Sequence, residues 1–440
     1  MGEPPTFSPF ALFAFSPSPK ETTLGQQALS GIRILDFSWY AAGPIATRFF
    51  AHHGAEVIKV ESKSRIDGLR FFAPFAGGTP GIDLPSSTKV TNPNLSGYFN
   101  NFNANKFGMR LNLSLPKGRE IAKQLIRISD IVIDNFTPGV MEKWGLTSDE
   151  ILKIKSDAIV ASLPMMGMTG PYRNDRGFGF VLAGAAGVSH LSGMPDDPPV
   201  GTGTNYPDYS SNPCHAAVAL LSALRYRNRT GRGQFIELSQ LESTVQILET
   251  AILDYTVNGR VQSRTGNSLR YACPHGVYRC LGEDRWCALA VFTDSEWASF
   301  CQAIGRLDLV SDPQLGTLKG RLAKVEDVDR IVAGWTATRL AEEVMESLQR
   351  VGVAAGIVQT GEDALDKDPQ LAARGNWVYL DHPEAGRTAY TADAFKLSET
   401  PGHLHSAAPC MGQHTGYVCG ELLGMTEDDV RALAVEKVLY

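Results

Sequence analysis

The feature that most restricts the fold is an alternation that begins at Gly31. Ile32-Arg33-Ile34-Leu35-Asp36-Phe37 is a short, mostly apolar run with strand character. Residues 42–52 then carry helical spacing, entered through Gly43-Pro44, where a proline is tolerated because its missing N–H has no intrahelical partner. Gly54 stops that segment, and Ala55-Glu56-Val57-Ile58-Lys59-Val60 is a second strand-like run. A strand-helix-strand unit joins parallel strands through a right-handed crossover. The alternation repeats, with a helix expected over 116–129, a strand at Ile131-Val132-Ile133 and another over 158–163. The first half therefore reads as doubly wound α/β.

A chain of 440 residues exceeds what one hydrophobic core usually supports. Helices are expected over 213–227 and 236–257. Paired strands follow at 276–280 and 286–291, then helices over 294–304 and 325–352. The expected division is a Pro/Ser-rich tail at 1–28, a large domain at 29–257 and a smaller α+β domain at 258–370. A linker and C-terminal segment, 371–440, then returns to the large domain.

A formal charge of −6 argues against a nucleic-acid partner. There is no apolar run of membrane-spanning length, so no membrane partner is expected. Seven cysteines, odd in number and without a CxxC pair, fit neither a disulfide framework nor a zinc site. A cytoplasmic location follows as the expectation. GxGxxG, GxSxG, HExxH and the Walker A loop are all absent, which leaves common cofactor and hydrolase chemistries without support.

Function becomes legible through motif order. Gly31–Glu61 reads GIRILDFSWYAAGPIATRFFAHHGAEVIKVE, followed by Asn103-Ala104-Asn105-Lys106 and IVIDNFTPGVMEKWGL at 131–146. GMTGPY lies at 167–172, LSGMPDDPPV at 191–200, TGRGQFIELSQLE at 230–242 and MGQHTGYVCGELLGM at 411–425. This series resembles the family III CoA-transferases across about residues 29–425. The resemblance implies a Rossmann-like, doubly wound large domain that binds CoA, a smaller α+β domain, and two chains interlocked like links of a ring. Coenzyme A enters as cosubstrate, with no permanently bound cofactor. Acyl-CoA and a carboxylic acid are the implied substrates, and the partner is a second copy or a paralogous subunit.

The resemblance also implies residue roles. Asp196 matches an aspartate expected to carry CoA as a thioester, although Asp197 stands where a glycine is usual and the pair alone reads as a surface turn. Tyr40, Ala41 and Ala42 match a wall for adenine and pantetheine. Asn103, Ala104, Asn105, Asn135 and Phe136 match segments lining the nucleotide, and Lys143 a basic residue near the phosphates. Ser62 replaces a frequent arginine, so Lys63 or Arg65 is the expected substitute. In the small domain, Leu269, Arg270 and Tyr271 suggest an acceptor larger than oxalate, with Arg270 holding a second carboxylate. Succinyl-CoA is the expected donor, and a dicarboxylic or aromatic acid the expected acceptor. Gly179 occupies the position of a racemase aspartate, which disfavours the racemase branch. A non-catalytic subunit of a heteromer is the remaining alternative.

Overall fold

The computed structural model describes residues 27–78 and 92–440. The expected tail at 1–28 lies outside the described residues except for Gln27 and Ala28. Six strands form one sheet: β1 (Arg33–Asp36), β2 (Glu56–Glu61), β3 (Phe107–Arg110), β4 (Ile131–Asp134), β5 (Ile159–Ser162) and β6 (Gln234–Glu237). Their order is β3-β2-β1-β4-β5-β6, and every pairing is parallel.

Helices cover both faces, which explains why β4 and β5 read as continuous apolar runs: all their residues are buried. Successive side chains of a strand point to opposite faces. Ile34 therefore joins the layer containing Phe50 and Leu220, from helices Ala42–His52 and Ser211–Thr230. Leu35 joins the other layer with Leu125, from helix Pro116–Ile128.

Two strands depart from the sequence reading. β3 was not anticipated, because Phe107-Gly108-Met109-Arg110 is short and carries a glycine. β6 lies at the start of the segment expected as one helix over 236–257. Val160 pairs with Phe235 there. Helix Gln240–Val245 begins only after Ser239, whose hydroxyl accepts the Glu242 N–H as a cap.

The chain divides into two compact units. One holds residues up to Val188, Gly201–Gly259 and Ala373–Tyr440; the other holds Ser189–Val200 and Arg260–Ala372. In the first, the hairpin of β10 (Trp377–His382) and β11 (Gly386–Thr391) leads into a C-terminal segment that runs along β3. Gly108 N–H donates to His414 Nδ1 at 3.0 Å, and Arg110 N–H to Thr415 Oγ1 at 3.0 Å. That segment covers an otherwise open sheet edge. The second unit has the antiparallel sheet β7 (His275–Arg279), β8 (Trp286–Ala290) and β9 (Ala354–Ile357), packed on a core with Trp297, Phe300, Val328 and Leu348.

Candidate active site

Strand order reverses between β1 and β4, so their connections diverge and open a crevice beyond the carboxyl ends of the strands. The turns after these two strands line a cavity of about 400 Å³. Trp39 and Tyr40 come from one turn, with Ala42 from the helix that follows it, and Asn135, Phe136 and Thr137 come from the other. Arg176, Phe178, Asp208 and Gln240 contribute to the remaining wall.

The first turn is held from beneath. Tyr40 has φ 61°, a left-handed conformation that side chains other than glycine seldom adopt. Its N–H donates to Asp67 Oδ1 at 3.0 Å, and Asp67 Oδ2 accepts from Lys59 at 2.8 Å. Lys59 also donates to the Ser38 carbonyl. Both charges are fully buried, so each depends on the other. Gly68 makes room for the phenol: a Cβ there would lie 2.2 Å from the Tyr40 hydroxyl. Burial, reinforced by Asp67, raises the Tyr40 pKa. Asn135 fixes the neighbouring residue at two points, accepting the Trp39 N–H at 2.8 Å and donating to the Trp39 carbonyl at 2.7 Å. Phe136 packs edge-on against Trp39, with ring centroids 5.4 Å apart.

Asp208 sits in the short helix Tyr206–Tyr209. Its Oδ2 accepts the Gly179 N–H at 3.0 Å, and its Oδ1 accepts from Asn212 at 3.3 Å. Burial dominates these two contacts and pushes its pKa up to about 6. A partly buried carboxylate that is still ionised at neutral pH is equipped for nucleophilic attack on an activated carbonyl.

The structure distributes the expected site residues unevenly. Tyr40, Ala41, Ala42, Asn135 and Phe136 meet around this one cavity. Trp39 and Phe136 also border a smaller cavity of about 30 Å³ with Ser62, Arg65 and Trp144. Lys63 is exposed beside it, with its ammonium 4.7 Å from the Tyr440 ring centroid. Lys143 is exposed at the end of helix Val140–Lys143.

Asn103 and Ala104 require correction, because both have no exposed surface with which to line a nucleotide. Asn103 instead accepts from Lys106 at 3.0 Å and donates to the Phe99 carbonyl at 2.9 Å. Asn105 is buried as well. It holds the C-terminal segment, donating to the His403 carbonyl at 2.6 Å and accepting from His405 N–H and Ser406 N–H at 3.0 Å. Lys106 completes this layer by pairing with Asp36 at 3.2 Å, while burial lowers its pKa to about 8.

Asp196, Arg270 and Tyr271 belong to the second unit. Asp196 is exposed on a turn closed by Asp197 N–H to the Met194 carbonyl at 3.3 Å. Arg264 braces that turn, donating to the carbonyls of Asp197 and His190 at 3.0 Å each. Arg270 and Tyr271 are exposed between Leu269 and Ala272, which form a β-bridge.

Sequence reasoning missed Asp208, Asp67 and Arg176. The one available signal for Asp208 was a carboxylate between Pro207 and Tyr209, just ahead of the long helix Ser211–Thr230.

Comparison with known proteins fits this picture. The chain is 34% identical over 414 residues to the succinyl-CoA–L-malate CoA-transferase beta subunit of Chloroflexus aurantiacus, covering 93% of this chain and 98% of that one. It is 30% identical over 411 residues to the succinyl-CoA–D-citramalate CoA-transferase of the same organism, covering 93% and 98%. The crystal structure of a CAIB/BAIF family protein from Brucella suis superposes with a TM-score of 0.80 at 26% identity, covering 90% of this chain and 100% of that one. The profile described as CoA-transferase family III matches residues 29–415, and the chain belongs to that family.

Proposed function

We propose that this enzyme moves CoA from succinyl-CoA to a dicarboxylic acid, with Asp208 as the covalent carrier. The observation that carries this reading is the position of Asp208: a half-buried carboxylate, its pKa raised by that burial, on the wall of the cavity at the strand-order reversal. Asp196, the carrier expected from sequence, is solvent-exposed and lacks that desolvation. Succinyl-CoA and dicarboxylates are named because the similar transferases carry them in their descriptions.

The chemistry runs as two symmetric exchanges. The Asp208 carboxylate attacks the thioester carbonyl and expels CoA thiolate, leaving a mixed anhydride. The thiolate attacks the aspartyl carbonyl of that anhydride, releasing the donor acid and forming an aspartyl-CoA thioester. The acceptor carboxylate attacks this thioester, again expelling thiolate and forming an anhydride. The thiolate then attacks the acceptor-side carbonyl, which gives the new acyl-CoA and restores Asp208. Acyl activation is conserved throughout.

Trp39 and Phe136 border both cavities. This supports CoA lying across them, with its thiol end beside Asp208 and its nucleotide toward Arg65 and Lys63. Lys143 is the further candidate for a phosphate contact, and Tyr40, Ala41, Ala42 and Asn135 for the pantetheine wall. The exposed apolar side chains Val218, Tyr255 and Val257, on helices Ser211–Thr230 and Glu249–Asn258, support an assembly that covers them. An interlocked homodimer is the simplest such assembly, and the beta-subunit relative favours a heteromer as the second. A cytoplasmic setting is supported by seven free cysteines.

The test is to trap the intermediate with hydroxylamine after incubation with succinyl-CoA and locate the modified residue by peptide mass. Modification at Asp208, abolished in Asp208→Ala and retained in Asp196→Ala, is expected. Modification at Asp196 returns the carrier role to the exposed turn. The mass of the purified assembly in solution, alone and with a co-expressed paralogue, decides between homodimer and heteromer.

A further inference from the structure

The cavity beside Asp208 has an uneven charge inventory. Two carboxylates, Asp175 and Asp208, lie on its wall, and Arg176 is the one lysine or arginine among its lining residues. The contacts of Asp208 are neutral, made by the Gly179 N–H and the Asn212 amide, and no cation contributes to its electrostatics. Arg176 is therefore not committed as its counter-ion. Yet it is tethered close by, three residues before Gly179. Three residues span at most roughly 10 Å of extended backbone, and an arginine side chain can bridge from there to a short molecule seated on Asp208. The surfaces contributed by Phe178 and Met165 suit a short carbon chain.

We infer that Arg176 selects dicarboxylic acids by binding the free carboxylate of the donor acyl group and, in the second exchange, that of the acceptor. This rests on Asp208 being the carrier. In a double-exchange mechanism, both acids present one carboxyl carbon to the same aspartate in turn, so both place their remainder in the same space. One guanidinium fork then serves both half-reactions, because its planar donors match a carboxylate at two points. A monocarboxylic acid of equal length leaves that fork in water and gains nothing from it.

The experiment compares succinyl-CoA with butyryl-CoA, which differ at the far end of the acyl chain and share the whole CoA moiety. The second-order rate constant for hydroxylamine-trapped modification of Asp208 is measured for the full-length protein, for Arg176→Gln and for Arg176→Lys. The Gln variant is expected to lose about tenfold or more with succinyl-CoA, the size of a lost charge-assisted contact, and nothing with butyryl-CoA. The Lys variant should recover part of the loss. The same split is expected between succinate and butyrate as acceptors. Equal losses with both CoA esters would assign Arg176 to the CoA phosphates instead and overturn the proposal. So would selectivity that disappears in Arg270→Ala but survives in Arg176→Gln. Wild-type modification away from Asp208 refutes the carrier assignment, whereas modification at Asp208 with unchanged selectivity refutes only the role of Arg176.

Discussion

Gly179 donates its backbone N–H to Oδ2 of Asp208 at 3.0 Å, so a position with no side chain supplies the donor that orients this carboxylate. A Cβ on Gly179 would lie 2.7 Å from the Asn205 Cβ and 2.9 Å from Asp208 Oδ2. Gly179→Ala is expected to push the carboxylate out of place. Rate constants should show kcat falling at least tenfold, the order associated with misplacing a reacting group, while CoA affinity holds.

Activity should depend on pH through Asp208. Burial holds this group at about 6, above its ordinary 3.8. The ionised form attacks, so kcat/KM should fall as pH drops through about 6. The stability effect has the opposite sense. A carboxyl with a raised folded-state pKa contributes fully below 3.8, and that contribution is lost as pH rises to about 6. At pH 8, Asp208→Asn should therefore be inactive yet more stable, by up to about 3 kcal/mol. Urea denaturation at pH 5 and pH 8 measures the difference.

Asn135 makes two hydrogen bonds to the backbone of Trp39, and both disappear in Asn135→Ala. Leaving these partly buried groups unpaired is expected to cost about 1–3 kcal/mol in thermal or urea unfolding. The Trp39–Tyr40 wall should loosen with it. A rise in the KM for every acyl-CoA, regardless of acyl group, is the kinetic counterpart.

Asp134, at the end of β4, is raised by burial to about 7 despite accepting the Phe136 N–H and the Ser162 hydroxyl. Its contribution to stability is complete below 3.8 and vanishes as pH climbs to about 7. Asp134→Asn should flatten the pH dependence of the unfolding free energy across that window. An unchanged slope would show that the group is solvated in solution.

The strands that sequence made legible are those whose burial is local in pattern. β1, β2, β4 and β5 announce themselves because both faces are covered and each carries an apolar core: Ile34-Leu35, Val57-Ile58, Ile131-Val132-Ile133 and Ile159-Val160-Ala161. β3 and β6 did not, since Phe107–Arg110 and Gln234–Glu237 acquire strand geometry from their neighbours in the sheet. The site divides similarly. Tyr40 and Asn135 follow strands at the order reversal, a place that motif order and topology both indicate. Asp208 carries only a faint local mark, its place between Pro207 and Tyr209. Its carboxylate is held by the Gly179 N–H, 29 residues away, whereas the Pro-flanked Asp196-Asp197 pair is conspicuous in sequence and exposed in the structure. Asn103 and Ala104 match a motif because they shape the loop from inside.

The cover over β3 has a consequence for synthesis. Gly108 and its partner His414 are separated by 306 residues. At about 5–20 residues per second, a ribosome needs roughly 15–60 s to produce the intervening chain. For that interval the nascent sheet waits with its outer strand unprotected, while the whole second unit is made and can fold ahead of the first. Completion of the first unit thus waits until His414 and Thr415 have been made. A nascent chain stalled before residue 410 is expected to hold a finished small unit and an open sheet edge, the state in which a chaperone has most to shield.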